Sequence, residues 1–357
     1  MNFTLHLTEA CNMDCSYCVH EKRQISMPEK VMIAACDLAF SKGTTAGLCF
    51  FGGEPLLEKE LIYKALDYCK VKEKTTGKRF KCKMTTNGTL LDEEFIMRAK
   101  SCGMEIGMSF DGSVQDICRR YADGRGTFAD MERKAKILLE ELPMSYAMLT
   151  IAPQAVDRYA ESIQYLHSLG FHRVTGTIAY GRRVNWSEKH LKEMEIQLRK
   201  IAEFYSGLFI KGERFYFSPF DSKIKDCITD TNPSEHCHLG LRQMPVAVDG
   251  KLYPCTQFIG DEDYCLGDVF TGIDISKQAE LISRASEPKE CRECDLNRRC
   301  TNSCGCMNRL ETGSENTVSS LQCTYERMLI SICDEMAERL YEQYPVLFKN
   351  RYMSVKK

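Results

Sequence analysis

The sequence predicts an α/β protein built on parallel strands, followed by a cysteine-rich last third. Three observations carry that prediction. Short apolar or alternating runs are followed again and again by longer stretches of helical spacing across the first 210 residues, and such repetition implies parallel strands joined by right-handed crossovers. Polar motifs rich in Gly, Asn and Asp stand at the ends of those runs, where ligands sit in parallel sheets and barrels. Cysteine is abundant, with 20 in 357 residues, and it is grouped: three lie at 11–18 and most of the regularly spaced others lie after 236.

The elements follow in order. Residues 2–7 alternate and predict a strand leading into the first cysteine group. Ser26-Met27-Pro28-Glu29 has the form of a capping box with proline at the first helical position, opening a helix to about 41. Leu48-Cys49-Phe50-Phe51 is a short buried strand running into Gly52-Gly53-Glu54-Pro55, and 57–74 has helical spacing. A strand near 80–86 ends in Thr86-Asn87-Gly88, with a helix from Asp92. A strand over 104–110 ends in Asp111-Gly112, and further strands fit 144–151 and 173–179. Residues 187–210 are helical and amphipathic, whereas 211–236 read as an irregular polar bridge. Met244 to Cys255 reads as a hairpin with an Asp249-Gly250 turn. A long helix runs from Cys323 to about Gln343.

Composition narrows the function. The net charge of -2 leaves no broad basic field for nucleic acid. No apolar run is long enough to span a bilayer, and the N-terminus lacks the basic and apolar regions of a signal peptide. These features predict a cytoplasmic protein without nucleic-acid or membrane partners. A secreted disulfide scaffold is normally short, so this many cysteines in a long chain points to metal. Cys36, Cys49, Cys69, Cys82, Cys102 and Cys118 are scattered singly and are expected to be small buried hydrophobes.

The run Cys11-Asn12-Met13-Asp14-Cys15-Ser16-Tyr17-Cys18 is the centre of the argument. Three thiolates this close suit three corners of a cubic iron–sulfur cluster with the fourth iron open. Zinc would need a fourth ligand, for which His20 is near. The spacing, with Tyr17 just before the last cysteine, resembles the radical S-adenosylmethionine (SAM) enzymes. That resemblance implies a partial (β/α)6, TIM-like barrel over residues 1–210. It implies that Cys11, Cys15 and Cys18 hold a [4Fe–4S] cluster whose open iron chelates SAM, and that reductive cleavage of SAM gives a 5′-deoxyadenosyl radical able to take hydrogen from a C–H bond. Gly52, Gly53 and Glu54 match the segment that contacts the methionyl amine of SAM. Thr86 and Asn87 stand where peptide-modifying members have Thr-Asn-Gly. Ser109 and Asp111 match a Ser-x-Asp-Gly segment near the SAM ribose and the substrate. Of Arg119 and Arg120, which precede Gly126-Thr127-Phe128, Arg120 is the candidate to meet the SAM carboxylate, which a guanidinium fork grips with two hydrogen bonds.

The later cysteines form a second constellation. Cys237-x12-Gly250-x4-Cys255 is followed by Cys291-x2-Cys294-x5-Cys300-x3-Cys304 and then by Cys323. This resembles the SPASM extension of radical SAM enzymes and assigns 237–357 to it. The resemblance implies two auxiliary [4Fe–4S] clusters, making three in all. Cys237, Cys255 and Cys304 would bind the first, with Cys265 as candidate fourth ligand. Cys291, Cys294, Cys300 and Cys323 would bind the second. Cys306 adjoins a ligand and is a further candidate, whereas Cys227 and Cys333 are expected to be structural. Two zinc ribbons are the alternative.

Enzymes with this pair of regions mostly modify ribosomally made peptides or proteins. Cys304-Gly305-Cys306-Met307-Asn308 with the long final helix is most similar to maturases of cysteine-rich peptides, including those with repeated C-x-x-x units. The resemblance therefore implies a ribosomally synthesised precursor peptide as substrate, a flavodoxin- or ferredoxin-type electron donor, and thioether (S–C) formation as the reaction. Direct C–C crosslinking and epimerisation are variants. The alternative is the formylglycine formation of anaerobic sulfatase maturases. That family has an aspartate directly after the cysteine of the G-x4-C segment, thought to act as a base, and here the position is Thr256, which has no suitable pKa for such work. A metal-bound, electron-carrying scaffold would need neither Gly-Gly-Glu nor an open cluster site. The cysteine loop starts at Cys11, so the N-terminal recognition domain of about 80 residues found in many peptide maturases is not expected before it. Leader binding is then expected on the barrel, the bridge or a separate protein.

Overall fold

The computed structural model describes residues 2–181, 183–229, 239–241, 243–284, 288–302 and 304–353. In chain order the elements are β1 (Asn2–His6), α1 (Glu29–Ser41), β2 (Thr45–Phe51), α2 (Lys59–Thr76), β3 (Arg79–Thr86), α3 (Glu93–Ser101), β4 (Glu105–Met108), α4 (Gln115–Cys118), α5 (Phe128–Glu141), β5 (Tyr146–Ile151), α6 (Tyr159–Ser168), β6 (Arg173–Ile178), α7 (Glu188–Ile210), β7 (Tyr216–Phe217), α8 (Ser218–Ile228), β8 (Gln243–Val246), β9 (Gly267–Asp268), β10 (Gly272–Ile273), α9 (Ile275–Arg284), α10 (Gly305–Thr312), α11 (Ser320–Gln343) and α12 (Pro345–Phe348). The six strands expected from the sequence are β1 to β6, and the α/β class holds.

The chain forms two compact units, each assembled from three stretches. One comprises Met1–Ser109, Arg120–Ser145 and His238–Ser286; the other comprises Phe110–Arg119, Tyr146–Cys237 and Glu287–Lys357. In the first unit the strands run β4-β3-β2-β1-β8, every neighbour parallel. The register puts Phe3 beside Leu48, Leu48 beside Cys82, and Phe3 beside Met244. In a strand successive side chains alternate between faces, so one face carries Phe3, Leu5, Leu48, Phe50, Met84, Ile106, Met108, Met244 and Val246, all buried. Each such side chain taken fully out of water contributes about 1.5–3 kcal/mol. The opposite face carries Thr4, His6, Cys49, Phe51, Lys83 and Thr85, and is markedly more polar. In the second unit β5, β6 and β7 are parallel, and α7 and α8 both pack against α11.

Two expectations are corrected. Ser26 does not cap α1: Pro28 occupies the cap position without a side-chain bond, and Ser26 instead bridges Thr8 and donates to Glu58. The serine is drawn off because its backbone pairs with Thr8, just past β1, rather than turning into the helix. The irregular bridge over 211–236 contains β7 and the 11-residue α8 in its described part. Polar side chains are buried on α8, where Asp221 meets Arg351 at 3.4 Å and Lys223 meets Glu326 at 2.7 Å. Those buried charges break the apolar stripe by which a helix is read from sequence. The expected hairpin does form: Val246 and Leu252 bridge antiparallel, and Gly250 turns at φ 97°.

Of the scattered cysteines, Cys36, Cys49, Cys69, Cys82 and Cys118 are buried as expected, while Cys102 is half-buried. Cys333 is buried, as a structural cysteine would be, whereas Cys227 is exposed at the end of α8.

Candidate active site and cysteine pocket

In the first unit the predicted motifs meet at the carboxyl ends of β1 to β4. The three-cysteine loop follows β1, Gly52-Gly53-Glu54 follows β2, Asn87 follows β3 and Ser109 follows β4. Backbone hydrogen bonds seat the loop. Gly53 N–H donates to Thr8 O (2.8 Å) and Glu54 N–H to Ala10 O (2.9 Å). A Cβ on Gly52 would lie 2.4 Å from Thr8 O, and one on Gly53 would lie 2.2 Å from Ala10 O. The two glycines are therefore required by the approach of β2's end to the loop, and Gly52 also needs its φ of 144°.

Glu54 is fully buried and ties two strand ends together. Its carboxylate accepts from Thr86 Oγ1 (2.6 Å), Asn87 N–H (2.7 Å) and Leu56 N–H (3.0 Å). Asn87 in turn donates through Nδ2 to Asn12 Oδ1 (2.8 Å) and to Cys11 Sγ (3.8 Å). Glu54, Thr86 and Asn87 thus act as one hydrogen-bonded brace behind Cys11. A second brace was not foreseen in the sequence. Residues 120–126 fold back on the loop, with Asp14 N–H donating to Arg120 O (2.7 Å) and Ala122 N–H to Asn12 O (3.1 Å). Arg120 is exposed, with Nη1 on Gly124 O at 3.1 Å. Cys11, Cys15 and Cys18 are all half-buried, and burial holds the Cys11 thiol above its usual pKa.

Burial also pushes the Glu54 carboxyl up to about 7, against the three hydrogen bonds that favour its charged form. An unfolded glutamate titrates near about 4.3. Between the two values the folded chain keeps a proton that the unfolded chain has released. This contribution to stability is complete below the unfolded pKa and is lost as pH rises through the folded one. Thermal unfolding is expected to show stability falling across that window, on the order of 1.4 kcal/mol per pH unit at its steepest. Glu54→Gln should remove that slope; an unchanged slope in the variant would assign the titration to another group.

His6, at the end of β1, is a residue the sequence reading missed. It is 5% exposed. Its ring lies 5.0 Å from Phe51 and 5.9 Å from His20, joining the residue before Gly52 to the segment after Cys18. Among the described residues its Nε2 has no hydrogen-bond partner. Burial foremost, then His20, lowers its pKa to about 3, so the imidazole is neutral. The only signal in the sequence is the alternation that puts Thr4 and His6 on one face.

Asp111 belongs to the second unit and is buried. Its carboxylate accepts from Arg119 Nε (2.8 Å) and from Thr150 N–H (2.8 Å). Arg119 rather than Arg120 is thus the arginine ion-paired at this motif.

The second unit also holds a cysteine pocket. Cys291, Cys294, Cys300 and Cys323 line one pocket together with Asn302, Glu326, Arg327 and Ile330. Short turns place the first three: Cys294 N–H donates to Cys291 O (3.1 Å), and Cys300 follows the turn Asn297–Arg299. Ser319 caps α11 by accepting from Gln322 N–H, fixing Cys323 in the first turn. Behind the pocket, Lys223 and Glu326 form an ion pair only 3% and 4% exposed. Glu326 accepts from Thr301 N–H (3.1 Å) and Oγ1 (2.7 Å), and Lys223 donates to Arg299 O (2.6 Å), which clamps the backbone on both sides of Cys300. Burial, then the Glu326 carboxylate, pushes the Cys300 thiol up to about 12. A zinc ion with Zn–S near 2.3 Å would draw its sulfurs to within roughly 4 Å of each other. Among the described residues no three His, Cys, Asp or Glu side chains are grouped to hold a single metal ion. Four thiols around a pocket suit the donor set of a cluster.

Of the remaining cysteines, Cys237 lies outside the described residues. Cys255 and Cys265 are half-buried in the first unit, with Cys265 Sγ donating to Gly267 O at 3.5 Å. Cys304 and Cys306 of the second unit have their sulfurs 3.4 Å apart. No helix among the described residues is long and apolar enough to cross a membrane.

The first unit thus brings a braced three-thiol loop to the carboxyl ends of its parallel strands, a donor set that suits an open-site cluster. Residues 5–194 match the radical SAM superfamily, more than half of the chain. The chain belongs to that superfamily and is a radical SAM enzyme. A cysteine-type anaerobic sulfatase-maturating enzyme of Clostridium perfringens is 23% identical over 338 residues, covering 83% of this chain and 86% of the relative. An uncharacterized protein of Methanocaldococcus jannaschii is 25% identical over 271 residues, covering 74% and 87%. Among solved structures, anSMEcpe with bound AdoMet superposes with a TM-score of 0.81 at 18% identity, covering 100% of this chain and 97% of that one. Streptococcus suis SuiB bound to precursor peptide SuiA superposes with a TM-score of 0.63 at 15% identity, covering 90% and 75%. These likenesses establish the fold.

Proposed function

We propose that this radical SAM enzyme modifies a ribosomally made, cysteine-rich peptide by forming thioether bonds. The observation that carries the reading is the four-thiol pocket of Cys291, Cys294, Cys300 and Cys323 in addition to the three-thiol loop. SAM chemistry alone needs one cluster. As a C–S bond forms, the peptide gives up a hydrogen atom from carbon, a proton from sulfur and one electron. A redox group held by the later cysteines would accept that electron.

In this reading Cys11, Cys15 and Cys18 hold the SAM-binding [4Fe–4S] cluster. Bound there and reduced, SAM supplies the 5′-deoxyadenosyl radical. Gly52 and Gly53 keep the backbone free of Cβ atoms beside the methionyl group, while Glu54, Thr86 and Asn87 hold the loop at fixed depth. Ser109 and Asp111 mark the ribose and substrate side, and Arg120 is the candidate for the SAM carboxylate. Cys291, Cys294, Cys300 and Cys323 hold one auxiliary cluster. Cys237, Cys255 and Cys304 hold the other, with Cys265 as fourth ligand. The radical SAM core spans 1–210, the bridge 211–236 and the SPASM domain 237–357. The reductant is a flavodoxin- or ferredoxin-type protein, and the setting is cytoplasmic. That peptides are the substrates draws support from relatives solved with peptides bound, among them anSMEcpe with the Cp18Cys peptide and SuiB with SuiA. The similarity to maturases of C-x-x-x repeats narrows the class to cysteine-rich peptides.

A second reading, formylglycine formation, is favoured by the match to sulfatase-maturating enzymes over 83% of the chain. Thr256 opposes it, because the position after Cys255 then lacks a carboxylate base.

The test is the mass of a cysteine-rich peptide after anaerobic turnover with SAM and reductant. Loss of two hydrogens per event with loss of alkylatable thiols is the expected result. The same mass loss with thiols intact would replace thioether with C–C crosslinking. A deuterium gain in D2O without other mass change would replace it with epimerisation. An aldehyde formed from cysteine would establish the formylglycine reading.

A further inference from the structure

Helix α11 places Cys323, Glu326, Arg327 and Ile330 on one face, because residues three, four and seven apart stack along a helix of 3.6 residues per turn. All four line the cysteine pocket. Arg327 Nη2 lies 3.6 Å from Cys294 Sγ. Cys323 lies one turn earlier on the same helix and lines the same pocket. One exposed side chain of α11 therefore donates to a thiol of a separate segment. The neighbouring charges leave it unopposed. Glu326 is taken up by Lys223 and Thr301, and among the described residues Arg327 makes no ion pair with a carboxylate.

We propose that Arg327 is a positioning residue that sets the reduction potential of the cluster held by Cys291, Cys294, Cys300 and Cys323. The proposal rests on the ligand reading given above. Each reduction adds one negative charge to the cluster and its thiolates. A cation and an N–H···S bond would stabilise that charge, which favours the reduced form and raises the potential. The exposure of Arg327 limits the effect, since water and salt screen a surface charge.

The test is a potentiometric titration of the full chain, reconstituted anaerobically with iron and sulfide and followed by electron paramagnetic resonance. The signal lost in Cys294→Ala/Cys300→Ala identifies the cluster concerned. Arg327→Met is expected to keep its iron and to shift that signal's oxidised-to-reduced ratio about tenfold, which is about 59 mV to more negative potential for one electron. Arg327→Lys should recover part of the shift, because it keeps the charge without the fork. The other signals should not move. An unchanged midpoint in Arg327→Met with full iron would overturn the tuning role while leaving the ligand reading intact. Loss of iron from Arg327→Met, Arg327→Lys and Arg327→Gln alike would overturn it in favour of a holding role. Full iron and every signal retained in the double cysteine variant would overturn the ligand reading, and the tuning role with it.

Discussion

Cys15→Ala is expected to reduce 5′-deoxyadenosine formation to background while the protein stays folded. The loop around Cys15 is seated by backbone bonds at Thr8, Ala10, Asn12 and Asp14, reached from Gly53, Glu54, Ala122 and Arg120. It is braced again by the side chain of Asn87. None of those contacts uses the Cys15 sulfur, so its loss leaves the seat in place. What goes is one of three thiolates on which an open-site cluster depends. Product analysis after anaerobic incubation with SAM and reductant checks the activity. Iron analysis should show about four irons fewer per chain, and a melting curve close to that of the parent checks the fold. Wild-type amounts of 5′-deoxyadenosine from the variant would remove the three-cysteine loop from the reaction.

The second large effect is expected from Cys294→Ala, and it has a different signature. The variant should still cleave SAM, because Cys294 belongs to the pocket of the second unit and not to the three-cysteine loop. Finished peptide should fall to background, because in the proposed reaction the electron left over from bond formation would lose its acceptor. The ratio of 5′-deoxyadenosine to modified peptide separates the two outcomes. A high ratio, with SAM spent and peptide unchanged, is expected. Full product at the wild-type ratio would deny the pocket any part in turnover.

Much of this was legible in the sequence because it rests on local patterns. Alternation and helical spacing reveal β1 to β6 and the long helices, and cysteine spacing picks out the four residues that line the pocket. What escaped depends on partners far away in the chain. Helix α8 was hidden because its buried face carries Asp221 and Lys223, and their partners Arg351 and Glu326 lie more than 100 residues downstream. Ser26 looked like a cap because sequence cannot tell that its backbone pairs with Thr8. His6 gave no sign beyond strand alternation, and that its Nε2 finds no hydrogen-bond partner among the described residues is visible only once its neighbours are known. Arg327 reads as one more surface charge until the helix is seen to carry it over Cys294.

The pairing of β1 with β8 has a consequence for how the protein is made. Thr4 accepts a hydrogen bond from Gln243, 239 residues later in the chain. At synthesis rates of 5–20 residues per second, that separation is on the order of 10–50 s on the ribosome. Throughout that interval the strand that carries the three-cysteine loop has only β2 beside it. Its other edge, including Phe3 and Leu5, is open to any strand that arrives first. Contacts this distant also slow folding, because the closure entropy comes before the reward. The nascent chain thus spends that interval with the three-cysteine loop next to an unpaired edge, and chaperone dependence or aggregation during expression should be governed by that edge.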